Sequence, residues 1–326
     1  MSAPLAHELW FVDRVPDRDW SFATEPATLL LLALALAVTA GVRVLARIRS
    51  GIDAPLLARL VPWMPFAIRV HLAVSLVGLL SAGYYLSPTM ELGKTVGGFA
   101  LGAVMVVSAV LFIVGWRVRL GALLLVAAGP IGMLVYGFDP VLQRVDVLGL
   151  ALFLLFTGGG RWSADLELGR SADPPALRLA QGLWVLRVAA GVALIAVAFA
   201  EKLANPELAQ AFLASQDVQL NVFELLGVPV GDEEFIRIAG AMEVLFGLLL
   251  ISGALPQAIV LVAGIPFNAT LYFFGTIELL GHLPIYGVML VLLVCGSHPQ
   301  VRPWCSSLWP WGRPALTPAS RAEPVP

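Results

Sequence analysis

The chain has 326 residues, of which 59% are hydrophobic and only 13% are charged, and its formal net charge is −2. Soluble domains carry about 25% charged residues, so this composition excludes an ordinary soluble domain, and a net charge near zero excludes the basic character of a nucleic-acid-binding protein. The sequence therefore predicts an all-α polytopic membrane protein embedded in the lipid bilayer.

The apolar segments predict about nine transmembrane helices. A bilayer core needs about 20 apolar residues per helix, and the fifth and ninth segments are the shortest of the set. Residues 1–26 lack the basic start and following apolar core of a signal peptide, so we predict that they form an outer segment. The nine predicted segments are 27–45, 68–87, 97–115, 119–137, 144–159, 181–202, 236–254, 256–276 and 282–297.

The arginines predict the orientation of these helices, because cytoplasmic loops carry an excess of Lys and Arg. They concentrate in the first connection, in the turn after the third segment, after the fifth segment and in the tail. The arginines of these four places lie on one side if the N-terminus is outside and the C-terminus is cytoplasmic, and the opposite side carries only scattered basic residues. We therefore predict a multi-pass protein of the cell membrane with that orientation. The arginines of the four places are Arg43, Arg47, Arg49, Arg59, Arg69, Arg117, Arg119, Arg161, Arg170, Arg178, Arg302 and Arg313, and the scattered residues are Arg14, Arg18, Lys94, Arg144, Lys202 and Arg237.

The chain also contains an internal repeat. Residues 69–88 align without gaps on 187–206, so that Arg69 meets Arg187, and 98–115 parallels 237–253. Chance similarity between apolar stretches is the alternative. Since both copies begin on the same side, the alignment predicts a leading helix plus two tandem four-helix-bundle units in parallel. The predicted divisions are an outer segment 1–26, a leading helix and linker 27–65, a first unit 66–160, a linker 161–180, a second unit 181–298 and a tail 299–326.

Five ionisable residues lie in or beside the apolar segments of the second unit. One charge within a membrane helix costs about 2.5–3.5 kcal/mol on insertion scales, and Glu243 aligns with Met105, so the first unit lacks this set. Counting about 1.5 Å per helical residue places the five residues toward the outer side, close to Asn268 and Tyr272. The sequence predicts a polar pocket that opens on the outer face. The five residues are Glu201, Lys202, Glu243, Glu278 and His282.

Purely structural roles are alternatives for each residue of this set. Glu201 and Lys202 could form an ion pair at the membrane interface. Glu243 could be a buried polar group whose hydrogen bonds are satisfied within the protein. Glu278 and His282 could lie in a hydrated outer loop. Metal sites in helical bundles favour Glu-x-x-His, whereas Glu278 and His282 are four residues apart, so we predict no metal. The two cysteines do not form a CxxC motif, which argues against a dithiol redox centre.

Two stretches of the second unit carry a family resemblance. The sequences AFAEKLANPELAQAFL and GAMEVLFGLLLISG resemble the DoxX-like family of small four-helix membrane proteins. The resemblance covers about 181–297, with the first unit as a degenerate copy. It implies an association with quinone-linked redox complexes, and it falls on Lys202 and Glu243.

These observations lead to three functional hypotheses. In the first, the chain is a quinone-interacting subunit of a membrane redox complex, and a partner protein supplies electrons or a substrate. Its catalytic residues would be Glu243, Glu201, Lys202, Glu278 and His282, and the quinone would contact Lys202, Asn268, Tyr272 and His282. In the second, the chain is a non-catalytic membrane anchor that docks another protein through residues 203–235. In the third, it is a proton-coupled small-molecule carrier with Glu243 as the coupling site.

Overall fold

The computed structural model of the chain describes residues 16–216, 219–274 and 276–311, and between 270 and 280 it describes the side chain of Leu271 alone. The described residues form helices joined by turns, with no strand among them. The all-α prediction is therefore confirmed for this part of the chain.

The helices run in chain order as follows. Those of the first half are α1 Trp20–Thr24, α2 Pro26–Ile48, α3 Pro55–Ala58, α4 Met64–Ser81, α5 Val96–Val114, α6 Val118–Tyr136, α7 Phe138–Leu142 and α8 Val145–Thr157. Those of the second half are α9 Ala164–Glu167, α10 Ala176–Ala198, α11 Pro206–Ala214, α12 Val222–Leu225, α13 Asp232–Ser252, α14 Pro256–Phe274, α15 Thr276–Gly296 and α16 Arg302–Cys305. A π-helical turn, Phe199–Leu203, continues α10.

Several of these helices have the length and composition of membrane spans. In the part of the chain that the structure describes, six helical stretches are long and apolar enough to cross a bilayer: Pro26–Ile48, Pro55–Ser81, Val96–Val114, Val118–Tyr136, Ala176–Leu203 and Asp232–Ser252. Shorter apolar helices occupy the fifth, eighth and ninth predicted segments. The structure thus supports a membrane protein, and the count of nine spans stays a prediction.

The helices pack as two groups around one shared core. In the first group, α4, α5, α6 and α8 pack in sequence and α8 returns to α4. In the second group, α10 packs on α13 and α14 packs on α15, whereas α13 and α14 touch only sparsely. The groups meet where α10 lies against α8 and α15 lies against α4, and the leading helix α2 packs on α13. The second group is therefore the less closed of the two.

A matching turn ends the second helix of each group. Gly115 ends α5 and Gly253 ends α13 in the left-handed region, with φ of 69° and 68°, where glycine is favoured because it has no Cβ. Two residues later, Arg117 and Leu255 also have positive φ, 48° and 44°. These turns are short, so each pair of helices is antiparallel and adjacent.

A buried arginine closes each turn. The Nη1 group of Arg69 donates to the Ile113 carbonyl at 3.2 Å, and Nη1 of Arg187 donates to the Ile251 carbonyl at 3.1 Å. Both carbonyls lie two residues before the capping glycine, where a helix end leaves acceptors without an intrahelical partner. Arg69 and Arg187 are 2% and 0% exposed. The division into tandem units stays a prediction, and these matched contacts favour it.

Candidate functional site

A close helix crossing sets the geometry of the predicted pocket. A Cβ atom on Gly191 of α10 would lie 2.5 Å from the Gly247 carbonyl oxygen, and one on Gly247 of α13 would lie 2.6 Å from that of Gly191. The two backbones therefore touch, as small residues permit in membrane helices. This contact fixes the heights at which the ionisable residues of α10 and α13 face each other.

The π-helical turn at the end of α10 presents the next residues to α13. Such turns insert one extra residue into a helix and recur at functional sites. Here Glu201 is buried, with 2% of its surface exposed. A Cβ on Gly240 of α13 would lie 3.2 Å from Lys202 Cβ and 2.7 Å from Leu203 Cδ2. Gly240 thus lets the turn rest directly on α13.

Lys202 and Glu243 form an ion pair between the two helices. The Lys202 Nζ and Glu243 Oε1 atoms are 3.1 Å apart, and the side chains are 14% and 30% exposed. Glu243 lies three residues beyond Gly240, which is about 4.5 Å along α13. The lysine therefore extends along the helix toward the middle of the span to reach the carboxylate.

The remaining predicted residues are distributed over α14 and α15. The His282 ring packs edge-on against Phe267, with 4.9 Å between ring centroids. Asn268 is exposed and donates from Nδ2 to the Gly264 carbonyl of its own helix at 2.6 Å. The side chains of Tyr272 and Glu278 lie outside the described residues. The structure thus joins Lys202 to Glu243 with Glu201 beside them, and the pocket roles of the other residues stay predictions.

Arg144 links the first group of helices to the segment that carries His282. It is 6% exposed, and its Nη2 donates to the Gly281 carbonyl at 2.9 Å while Nε donates to the Leu86 carbonyl at 3.1 Å. The structure shows that it holds the backbone next to His282.

The N-terminal segment covers the π-helical turn, a contact that the sequence did not predict. The Asp19 amide donates to the Ala204 carbonyl at 2.9 Å, and Trp20 stacks on Phe199 with 6.1 Å between centroids. Asp19 also caps α1 by accepting from the Ser21 amide and hydroxyl, and these bonds hold the pKa of its carboxyl below the ordinary value. The Asp-x-Ser capping pattern is a sequence signal for this short helix.

An ion-pair network fastens the same segment to α13. Arg237 is 8% exposed, pairs with Glu25 at 2.7 Å and Glu233 at 2.9 Å, and lies 4.4 Å from the Phe22 ring centroid. Residues 16–25 therefore form a cover over the π-helical turn and the first turns of α13. The short helices α11 and α12 lie in the stretch 203–235 that the second hypothesis makes a docking surface.

The space among α10, α13, α14 and α15 is small and apolar. A cavity of about 10 Å³ lies there, which is close to the least that holds one water molecule. Its walls are Leu194, Leu250, Ile259, Val260, Ala263, Phe267, Ile285, Val288 and Met289. A ring-sized ligand does not fit inside this cavity, so it would need the sparse boundary between α13 and α14.

Comparison with other proteins does not assign this arrangement: no family model, no curated protein and no solved structure matches the chain. The DoxX-like resemblance consequently rests on the residues of the two stretches quoted above. Among the described residues, no group of three or more His, Cys, Asp or Glu side chains could hold a metal ion, and the prediction of no metal remains open.

Proposed function

We propose that the chain is a DoxX-like membrane subunit of a redox complex, in which the Lys202–Glu243 pair binds and protonates a lipid-soluble quinone near the outer face of the cell membrane. The observation that carries the proposal is the ion pair itself. Its Lys202 Nζ and Glu243 Oε1 atoms are 3.1 Å apart and belong to two helical stretches of membrane-spanning length. An ionisable residue within a membrane helix is a functional-site hypothesis by default, because of its insertion cost.

The first group of helices shows that the scaffold does not need this charge. Met105 aligns with Glu243 and is fully buried, with 0% exposure, in a group of the same helix order. Apolar residues of similar volume commonly replace a buried ion pair without loss of stability. Retaining Lys202 and Glu243 at a free-energy cost therefore favours a chemical role over a packing role.

The donor set suits the carbonyl oxygens of a quinone. Lys202 donates from Nζ to one carbonyl oxygen. Glu243 is a carboxylate in the ion pair, so it first takes up a proton from water and then delivers it to the other carbonyl oxygen as the ring is reduced. The partner protein supplies two electrons for each ring, and one proton through Glu243 and a second from water complete the quinol. The 30% exposure of Glu243 and the sparse α13–α14 boundary support a ring position at this boundary, open to lipid.

The test is to compare bound quinone in the wild-type protein and three variants. Glu243→Gln removes the proton carrier, Lys202→Met removes the donor, and the Lys202→Met/Glu243→Met double variant removes both charges together. Mass spectrometry of an organic extract should find about one quinone per wild-type chain and none in the variants. Quinone reduction with the partner complex should fall about 10²-fold or more in Glu243→Gln.

A matched control separates function from folding. Glu233→Gln changes an exposed glutamate of the same helix, paired with Arg237, and it should retain the quinone. The double variant should melt at or above the wild-type temperature, because no unpaired charge is left. Retention of quinone in a folded double variant would contradict the proposal, as would a wild-type extract that contains phospholipid alone.

A second candidate function is a membrane anchor for an extracytoplasmic protein. Val222, Leu225 and Leu226 are 48%, 64% and 73% exposed at the short helix α12, and contiguous exposed apolar side chains mark interaction sites. Leu225→Ser/Leu226→Ser should then abolish co-purification of one protein partner and leave quinone binding intact. Unchanged co-purification would remove this candidate.

A further inference from the structure

A large cavity lies at the opposite end of the bundle from the Lys202–Glu243 pair, where α6 begins and α8 ends. Its volume is about 710 Å³, within the range of about 300–1,000 Å³ that is typical of ligand pockets. The turn before α6, the glycine turn 158–160 and the linker 170–175 form its walls. The space is therefore large enough for a polar head group.

The lining of this cavity carries more positive than negative charge. Three arginines, Arg117, Arg119 and Arg170, face two acidic residues, Asp165 and Asp173. Arg170 pairs with Asp165 at 2.6 Å, and in the part of the chain that the structure describes no carboxylate forms an ion pair with Arg117 or Arg119. After the Arg170–Asp165 pair, Arg117 and Arg119 face one further carboxylate, that of Asp173, so the lining keeps an excess of one positive charge.

The Asp165 carboxylate is occupied by hydrogen bonds within the protein. Asp165 is 7% exposed, and its two carboxylate oxygens accept from the backbone amides of Arg117 and Val118 at 2.8 and 3.0 Å. Asp165 therefore satisfies the first amides of α6 and fixes the turn from which Arg117 and Arg119 project. Its charge is balanced locally by Arg170, so it does not neutralise the other two arginines.

Arg117 and Arg119 keep most of their donors for a ligand. The Arg117 guanidinium lies 5.1 Å from the Trp116 ring centroid, a face-on contact that orients the group without using its N–H bonds. Arg119 makes a long hydrogen bond of 3.4 Å from Nη2 to the Phe156 carbonyl. Guanidinium forks match the paired oxygens of phosphate groups.

Aromatic side chains place this end of the bundle at a membrane surface. Trp116 and Trp162 are 41% and 72% exposed, and the Trp63 and Trp162 rings are in edge contact with 5.0 Å between centroids. Tryptophan concentrates at the level of lipid head groups. A basic cavity between helices at that level is suited to an acidic head group.

We propose that this cavity is a binding site for a phosphate-bearing anion, with Arg117 and Arg119 as its two donors. The phosphodiester of an anionic phospholipid and free inorganic phosphate share this chemistry. The site is independent of the quinone proposal, because it lies at the other end of the helices and uses none of the same residues.

The experiment measures binding by native mass spectrometry of delipidated full-length protein in detergent. Phosphatidylglycerol, phosphatidylcholine and inorganic phosphate are titrated separately against the wild type, Arg117→Ala/Arg119→Ala and the control Arg47→Ala/Arg49→Ala. The control removes two exposed arginines from the same end. Phosphatidylglycerol should bind once per chain, and the cavity variant should weaken it about tenfold or more, while the control changes it less than about twofold.

The separate titrations distinguish a lipid head group from free inorganic phosphate, and both from the absence of a phosphate site. Binding of phosphatidylglycerol without inorganic phosphate assigns a lipid head group, and binding of inorganic phosphate with the same arginine dependence assigns the free anion. Equal binding of phosphatidylcholine, or an equal loss in both double variants, would overturn the site. Arg117→Lys/Arg119→Lys guards against misfolding, since it keeps the charge and should weaken binding only partly because it lacks the guanidinium fork.

Discussion

The two helix groups use the same arginine contact but differ at the position of Glu243. Arg69 and Arg187 each close a glycine-capped turn through the same carbonyl position, whereas one group buries Met105 and the other pairs Glu243 with Lys202. The residues after the aligned helices differ as well: α4 ends in a loop, and α10 ends in a π-helical turn. The Lys202–Glu243 pair thus occurs where the backbone departs from the shared pattern.

The largest expected effect comes from removing the arginine that both groups share. Arg187→Ala deletes charged hydrogen bonds to the Ile251 and Ser307 carbonyls and leaves a void at a fully buried position, so it should lower the free energy of unfolding by about 3–5 kcal/mol. Arg69→Ala should have a similar effect. Denaturant titration in mixed micelles measures both, with exposed Arg49→Ala as the control. A large loss for one arginine alone would show that the two contacts are not equivalent.

The second prediction transfers the charge into the first group. Met105→Glu places a carboxylate at a site of 0% exposure and should cost about 2.5–3.5 kcal/mol, whereas the control Met105→Leu should cost less than about 1.5 kcal/mol. The same titration measures both variants.

Adding a lysine at the aligned Tyr84 should not restore stability. Tyr84 lies in a loop and bridges to Glu91, so its backbone does not place a side chain as the π-helical turn places Lys202. Recovery in the Tyr84→Lys/Met105→Glu variant would show that the turn is not what separates the groups.

The third prediction concerns close packing. Gly191→Ala puts a Cβ within 2.5 Å of a backbone oxygen of α13 and should cost about 1–3 kcal/mol through strain. Gly102→Ala in α5 puts a Cβ in ordinary contact with the two methyl groups of Leu92, at 3.7 and 3.9 Å, and it should stabilise the protein by about 0.5–1 kcal/mol because alanine favours the helix. Thermal unfolding of the two variants should therefore shift in opposite directions. Shifts of the same sign would contradict the close crossing.

Much of the helical framework could be predicted from the sequence, because membrane spans are long apolar runs. The predicted fifth segment, 144–159, corresponds to the helix Val145–Thr157 in the structure. The internal repeat of the sequence was enough to align Arg69 with Arg187. Lys202 and Glu243 were both selected as site residues, since a charge in an apolar run is visible in the sequence. Their pairing was not predicted, because it depends on the π-helical turn and on the Gly191–Gly247 crossing.

Contacts between distant parts of the chain account for what the sequence did not predict. The Asp19 amide meets Ala204, and Arg144 meets Gly281. Neither contact leaves a periodic pattern, since each joins a loop or helix end to another helix end. The cover over the π-helical turn therefore became visible only in the structure.

The smallest expected effect tests the attachment of this cover to the second group. The Asp19 carboxyl accepts from the Ser21 amide and hydroxyl, and these bonds lower its pKa from the ordinary value of 3.8. A lowered pKa stabilises the folded state above the ordinary value, and that stability is lost as the pH falls through the folded pKa. Ser21→Ala removes the hydroxyl bond, so the pKa of Asp19 should rise toward 3.8. The variant should then be less stable than the wild type above that pH and should lose less further stability as the pH falls.

The measurement is the melting temperature between about pH 5 and about pH 2.5, for the wild type, Ser21→Ala and the control Ser171→Ala. The exposed Ser171 lies in the linker before α10 and bonds only to Asp173 nearby, so its profile should follow the wild type. Superimposable profiles for Ser21→Ala and the wild type would show that the Asp19 cap does not stabilise the cover. A difference that is present near pH 5 and shrinks toward the acidic end would show that the ionised Asp19 cap stabilises the cover, whose Asp19 amide donates to the Ala204 carbonyl directly after the π-helical turn.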